Sequence, residues 1–338
     1  MNFLKEFSET ASLIRQKKNI LLASHEHPDG DAIGSMLAMF STLGELRDKN
    51  VVVFSQDPLP VYLKFLPNSE VIIHEVSQCF PDRSKADVFI GFDYGDFKRL
   101  GVNREYIEEA AIITFDHHPY FKQEGDILII DDSASSTCEI LYDFFVYGGF
   151  KISVGVATAL LTGILTDSGG FAHINTSVRT LRAAGDLLRC GASLAKIHKH
   201  TFANKPLSCL KAWGYALSAA QHDSASEMNY IVISHAKFLE LGGCLDDFEG
   251  VANTINLSPE TKFSLVLIEC EPNVIKASLR SESFKGVDVS SIARALGGGG
   301  HKYAAGFEIT GKSLEDVVEL VKNTAAELTA TLAPWPSG

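Results

Sequence analysis

The chain has 338 residues, of which 46% are hydrophobic and 21% charged, and it carries a formal net charge of −12. That balance excludes a disordered chain, the length fits two domains better than one, and the acidity excludes a coat for duplex DNA, so any phosphate must be met locally. No apolar run approaches the roughly 20 residues that cross a bilayer, Met1-Asn2-Phe3-Leu4-Lys5-Glu6 lacks a leader pattern, and six scattered cysteines without a C-x-x-C fit reduced thiols in a cytoplasm.

Phe3, Phe7, Ala11 and Ile14 recur on one face of a helix predicted over Phe3–Gln16. A buried strand follows at Ile20–Ser24, then a helix at Ala32–Lys49 and a strand at Val51–Ser55. Short apolar runs at Val71–His74, Val88–Phe92, Ala111–Phe115 and Ile127–Ile130 read as further strands. Helical patterns fill Ser136–Tyr147, Val154–Leu165, Ser177–Arg189, Leu194–His200 and Asn204–Ala220. The polar stretch Gln221–Glu227 reads as a linker or exposed turn. Strands then dominate at Tyr230–Ser234, Phe263–Glu269, Val274–Leu279 and Ala305–Ile309, with helices at Val289–Ala295 and Leu314–Thr331. The expected class is α/β. A largely parallel sheet with helices on both faces occupies residues 1–195, a connecting helix and linker 196–226, and a smaller α+β domain 227–332.

The segment His25-Glu26-His27-Pro28-Asp29-Gly30-Asp31 puts two imidazoles and three further carboxylates directly behind a strand. Asp93-Tyr94-Gly95-Asp96 follows Val88–Phe92, and Asp116-His117-His118 follows Ala111–Phe115. Asp167-Ser168-Gly169-Gly170-Phe171 follows the apolar helix Val154–Leu165. A single Asp at a strand end is ordinarily a turn former or a helix cap. Three such clusters at strand ends, with a fourth behind a helix, point instead to one crevice, because the carboxyl ends of parallel strands converge. Imidazoles and carboxylates gathered there suit a divalent cation, which neutralises their charge.

Near the other end, four glycines at 297–300 precede His301, and Arg280 lies upstream. Glycines let backbone N–H groups approach an anion, and Arg offers bidentate phosphate recognition. The competing reading is a flexible turn between a helix and a strand. Asn175 and Arg179 could also reach a substrate, or Arg179 could be a solvated helix residue.

Taken in order, His-x-x-x-Asp-x-Asp, Asp, Asp-His-His and Asp strongly resemble the DHH phosphoesterases. Gly297-Gly298-Gly299-Gly300-His301-Lys302-Tyr303-Ala304-Ala305-Gly306 resembles the signature of their DHH-associated C-terminal domain, and Ala277-Ser278-Leu279-Arg280-Ser281 its substrate-binding strand. Phe115 before Asp-His-His, and Ser168 after the last Asp, depart from the common pattern without removing a ligand. The resemblance implies that His25 and Asp29 ligate one metal, that Asp31, His117 and Asp167 ligate a second, and that Asp93 bridges them. It implies His118 at the scissile phosphate, with His27 and Asp116 orienting ligands. Arg280, Ser281, Gly298, Gly299, Gly300 and His301 would bind substrate, in a cleft between the domains. The cofactors implied are two divalent cations, Mn²⁺ before Mg²⁺, Zn²⁺ or Fe²⁺.

Within the family the two-domain length favours the NrnA-type oligoribonuclease and pAp phosphatase. Such an enzyme hydrolyses short oligonucleotides to nucleoside monophosphates, and pAp to AMP. The expected partners are short single-stranded RNA or DNA and small nucleotides, with no duplex and no membrane, in the cytoplasm, with a homodimer open. The alternatives are a stand-alone cyclic or linear dinucleotide phosphodiesterase, then an exopolyphosphatase or pyrophosphatase. A degenerate binding protein is the non-enzymatic one, and the complete ligand set speaks against it.

Overall fold

Strands β1 (Asn19–Ser24), β2 (Asn50–Phe54), β3 (Ile72–Ile73), β4 (Val88–Phe92), β5 (Ala111–Asp116) and β6 (Ile127–Ile130) form one parallel sheet in the order β3-β2-β1-β4-β5-β6. The computed structural model describes residues 3–75, 85–119, 122–203 and 205–331. The chain divides into two units, Met1–Asn204 and Lys205–Gly338. In the first, the chain runs outward from β1 through β2 and β3, then returns to β4 on the other flank of β1. The reversal opens a switch point between the ends of β1 and β4, where open α/β sheets place their ligands.

The strands alternate their side chains between two cores. Ile20 and Leu22 of β1 join Phe7, Ile33, Leu141, Leu160, Leu187 and Ile197. These come from six α-helices: α1 (Leu4–Gln16), α2 (Gly30–Gly44), α3 (Thr137–Tyr147), α4 (Val154–Asp167), α5 (Val178–Arg189) and α6 (Leu194–Thr201). Leu21 and Ala23 face the other way, onto Phe89, Tyr94, Phe97, Leu100 and Ile107. Among the described residues the cover on that face includes single 3₁₀ turns at Phe97–Leu100 and Arg104–Tyr106. Gly95 and Gly101, both at positive φ, interrupt the β4–β5 connection. Two boundaries matter for function. Helix α2 starts at Gly30 with Asp29 as its N-cap, so Asp31 sits in its first turn. Helix α4 runs on to Asp167, which is therefore helical.

The second unit holds α7 (Leu207–Ser218), β7 (Gln221–Asp223), β8 (Met228–Ile233), α8 (His235–Glu240), α9 (Val251–Ile255), β9 (Phe263–Glu271), β10 (Val274–Ser281), α10 (Val289–Ala295), β11 (Gly299–His301), β12 (Ala304–Thr310) and α11 (Leu314–Thr331). Its sheet order is β11-β12-β10-β9-β8-β7, antiparallel except for the β8–β9 pair. One face packs Leu265, Leu267, Leu279 and Phe307 against α10 and α11. The other packs Ile231, Ile233, Val266 and Ile268 against α7, α8 and α9.

Two sequence expectations change here. Gln221–Asp223 is an edge strand of this sheet and not a linker; Asp223 closes its turn by accepting from the N–H and hydroxyl of Ser226. The glycine run is half strand, since Gly299–His301 pairs with Ala304–Gly306. A Cβ at Gly298 would lie 2.1 Å from the Gly306 carbonyl oxygen, so close backbone packing requires the glycine. Asn204, where the helix before β7 was expected to begin, lies outside the described residues. Among the described residues no helix is long and apolar enough to cross a membrane.

Candidate metal centre

The cluster is assembled at the switch point. Ser24, the last residue of β1, donates its hydroxyl to the Phe92 carbonyl at 2.9 Å and ties the ends of β1 and β4 together. His25 follows and is buried. Its Nδ1 lies 2.6 Å from the Glu26 carbonyl, which places a ring proton there and turns Nε2 inward. Nε2 lies 3.7 Å from Asp93 Oδ2 and 4.0 Å from Asp29 Oδ2. Arg99 Nη2, 3.3 Å from the same Nδ1, is then a neighbour of the ring and not a donor to it. Asp29 divides its oxygens. Oδ1 caps α2 by accepting from the N–H groups of Asp31 and Ala32, both at 3.0 Å, and Oδ2 faces His25. Its side chain keeps 47% exposure, which gives the cluster a mouth to solvent.

Asp31 is fully buried. It accepts from the Thr137 N–H at 2.6 Å on Oδ2 and from the Cys138 N–H at 2.9 Å on Oδ1. Asp93 leaves β4 at φ 55°, a left-handed conformation that costs a non-glycine residue of order 1 kcal/mol or more and is found at functional sites. Its N–H donates to the Phe115 carbonyl at 3.0 Å. Its Oδ1 lies 3.4 Å from His117 Nε2 and 3.3 Å from His118 Nδ1, while Oδ2 faces His25. His117 Nε2 reaches Asp167 Oδ2 at 3.1 Å. The Asp167 carbonyl is held by His173 Nδ1 and Asn175 Nδ2.

Among the described residues three sets of potential ligand atoms emerge, each with all its atoms within 4.8 Å of one another: His25, Asp29 and Asp93; Asp31, His117 and Asp167; and Asp93, His117 and His118. Desolvation within the cluster, despite the 47% exposure of the side chain, and then the charges of Asp167 and Asp93 push the Asp29 carboxyl up to about 6. The same causes hold Asp31 well above the carboxylate range. Burial also works to raise Asp93, but hydrogen bonds from His117, His118 and His25 outweigh it and hold that group well below the usual range. Burial opposes the charging of His117, yet its contacts with Asp167 and Asp93 raise it. Carboxylates crowded until some hold protons, interleaved with imidazoles, are a donor set that fits divalent cations.

His118 is organised differently. Asp116 Oδ1 accepts from its backbone N–H and its ring Nδ1, and Asp116 Oδ2 accepts from the N–H groups of Tyr94 and Gly95. Burial opposes its charging, but the bonds to Asp116 and Asp93 push the imidazole up to about 10. Nδ1, the nitrogen near Asp93, is already committed to Asp116.

The six residues expected to be ligands therefore lie together. Other expectations shift. His27 turns away to Asp57, through its N–H at 2.6 Å and its ring at 3.3 Å, with its side chain 88% exposed. Arg179 is tied into the protein, because Asp131, Glu139 and Asp143 meet its guanidinium at 2.6–3.1 Å. The N–H groups of Thr137 and Cys138 escaped the sequence reading. The spacing Ser136-x-x-Glu139 is the signal that could have marked them, since it announces a helix start, and helix starts bind anions.

In the second unit, β10 alternates its side chains. Lys276, Ser278 and Arg280 share one face and line a 250 Å³ cavity with Glu249 and Asn253. Ser281 is buried on the opposite face and donates to the Lys262 carbonyl at 2.8 Å. Burial lowers the Arg280 guanidinium. The register places His301, Ala304 and Arg280 in one row across three strands. The His301 side chain lies outside the described part of the structure. Gly300, at φ 132°, would press a Cβ 2.6 Å from the Ala304 carbonyl oxygen.

Residues 19–164 match the DHH family, N-terminal domain, and residues 239–327 match the DHHA1 domain. The chain is 32% identical over 309 residues to the bifunctional oligoribonuclease and PAP phosphatase NrnA of Thermus thermophilus, covering 91% of this chain and 89% of that one. It is 27% identical over 296 residues to the protein of the same name from Bacillus subtilis, covering 86% and 89%. Among solved structures it is similar to an exopolyphosphatase-related protein from Bacteroides fragilis, with a TM-score of 0.89 and 27% identity over 96% of this chain and 97% of that one.

Proposed function

This chain belongs to the DHH family, and we propose that it is a phosphoesterase that hydrolyses short oligonucleotides to nucleoside monophosphates and pAp to AMP. One observation carries the reading: the two oxygens of the buried Asp93 face opposite ways, one towards His25 and Asp29, the other towards His117. A carboxylate placed so is suited to be shared by two cations. His25 and Asp29 would hold one, Asp31, His117 and Asp167 the other, with Asp93 common to both. Mn²⁺ suits this mixture of imidazole and carboxylate. When bound, such a pair neutralises phosphoryl charge and acidifies a water nucleophile.

The chain's own groups supply the rest. His118, charged and held by Asp116, stabilises the negative phosphoryl oxygens without needing to find its orientation. Asp29 and Asp31 are fixed by backbone N–H groups, so neither rearranges when a cation enters. Arg280, with Ser278 and Lys276 on the same face of β10, offers a cationic edge to a phosphate. Ser281, facing the other way, supports that strand and is not itself a substrate group. The net charge of −12 supports short substrates in preference to a duplex.

A second reading, exopolyphosphatase, is favoured by the likeness to the Bacteroides fragilis structure. Purified protein with Mn²⁺ would be assayed on pAp, a dinucleotide, linear and cyclic di-AMP, polyphosphate and pyrophosphate. The expected result is preferred turnover of the linear dinucleotides and pAp. Preferred turnover of polyphosphate or cyclic di-AMP would overturn it.

A further inference from the structure

The first turn of α3 touches two of the four carboxylates in the cluster, although it contains no candidate ligand. Thr137 is buried. Its N–H and that of Cys138 each take one oxygen of Asp31, at 2.6 and 2.9 Å. Its hydroxyl lies 3.4 Å from Asp93 Oδ1. Ser136 caps the helix by accepting from the Glu139 N–H, which leaves the Thr137 and Cys138 N–H groups for Asp31. These two belong to the donors every helix start leaves unpaired, and the helix dipole favours the negative charge they meet.

The hydroxyl has a separate task. Oδ1 of Asp93 faces His117, and Oδ2 faces His25. A carboxylate can be shared between two sites only while its plane keeps both oxygens in those directions. The Thr137 hydroxyl donates to Oδ1 alone, so it resists rotation of the carboxylate about its Cβ–Cγ bond. His117 also approaches Oδ1, but it would lose that contact on binding a cation through the same nitrogen, and His118 Nδ1 lies closer to Asp116, at 2.8 Å, than to Asp93, at 3.3 Å. Thr137 keeps its proton whether or not a cation is present.

We propose that Thr137 is a positioning residue that holds Asp93 in its shared orientation, so that the first turn of α3 sets how tightly the second divalent cation is bound at Asp31, His117 and Asp167. The proposal rests on the two-cation reading above.

Thr137→Val is the informative variant. It removes the hydroxyl, keeps the volume and keeps the N–H to Asp31. Thr137→Ser keeps the hydroxyl. Metal-stripped protein would be titrated with Mn²⁺ by calorimetry and followed by electron paramagnetic resonance. Wild type is expected to bind two Mn²⁺ and show a coupled spectrum. Thr137→Val should bind the first ion within about threefold of wild type and the second about tenfold or more weakly, the usual scale for loss of a ligand's hydrogen-bonding partner. At two equivalents its spectrum should contain the six-line signal of isolated Mn²⁺. Thr137→Ser should restore the second step, and activity of Thr137→Val should recover at saturating Mn²⁺.

Two unchanged binding steps in Thr137→Val overturn the proposal while leaving the two-cation reading intact. Equal weakening of both steps together with a lower apo melting temperature overturns it too, because it marks a packing role. Activity that stays low at saturating Mn²⁺ also overturns it, because the hydroxyl would then touch substrate. Wild type that binds fewer than two Mn²⁺ removes the underlying reading, and the proposal with it.

Discussion

Asp116 takes two hydrogen bonds from His118 on a single oxygen, from the backbone N–H at 2.9 Å and from ring Nδ1 at 2.8 Å. Its other oxygen takes the N–H groups of Tyr94 and Gly95, so one buried carboxylate ties the loop after β5 to the loop after β4. Asparagine has one acceptor oxygen and cannot serve both sides. Asp116→Asn should therefore loosen His118 and lower its basicity. We expect turnover to fall about ten- to a hundredfold, as for other partners of site residues. The basic limb of the pH–rate profile should move to lower pH, while Mn²⁺ stoichiometry stays the same. An unshifted profile would detach Asp116 from the chemistry.

Asp93→Asn replaces the carboxylate common to both proposed sites. Both binding steps should weaken together, and turnover with Mn²⁺ should disappear. The apo fold should lose stability, because the substitution removes a carboxylate that three imidazoles hold charged. Calorimetric titration and an apo melting curve check the two halves. Near-wild-type activity in this variant would end the two-cation assignment.

The parts of the site visible in the sequence are those whose chemistry travels in side chains placed just behind strands. His25, Asp93 and His117 follow β1, β4 and β5, and their residue types announce the donor set. The grip on Asp31 was missed, because its donors are backbone N–H groups more than a hundred residues away, marked only by the helix start at Ser136-x-x-Glu139. Helices α8 and α9 were missed because six and five residues are too few to show a period. Strand β7 read as a linker because Gln221-His222-Asp223 lies at the sheet edge and has no apolar alternation. Strand β11 was hidden by its two glycines, of which Gly300 packs against β12 where a side chain would collide.

Metal removal should make stability depend on pH with a definite sign. In the metal-free protein the folded Asp29 carboxyl titrates at about 6, above the ordinary value of 3.8, so the fold loses stability as pH rises across that interval. The folded His118 titrates at about 10 against an ordinary 6.5, so its contribution is present below 6.5 and is lost as pH rises towards 10. Both groups hold more protons folded than unfolded, and both effects run the same way. Bound cations replace those protons. The melting temperature of the Mn²⁺-loaded protein should therefore exceed that of chelator-treated protein by a margin that widens from pH 5 to pH 8. A constant margin would mean that protons and cations do not compete for the cluster.

The last prediction separates recognition from chemistry. Arg280 and Ser281 are adjacent on β10 but face opposite sides of the sheet. Arg280 shares its face with Ser278 and Lys276, and the Ser281 hydroxyl is spent on the Lys262 carbonyl. Arg280→Ala should remove a charge-assisted phosphate contact worth about 1.5–3 kcal/mol, or roughly ten- to a hundredfold in kcat/KM on dinucleotides and pAp. Bis-p-nitrophenyl phosphate, which carries no phosphate beyond the reacting one, should lose far less. Mn²⁺ binding, which draws only on the first unit, should not change. Ser281→Ala should cost on the order of 1 kcal/mol of stability and leave KM unaltered. Equal losses on both substrates in Arg280→Ala would make the arginine part of the chemistry itself. A raised KM in Ser281→Ala would return that hydroxyl to the substrate.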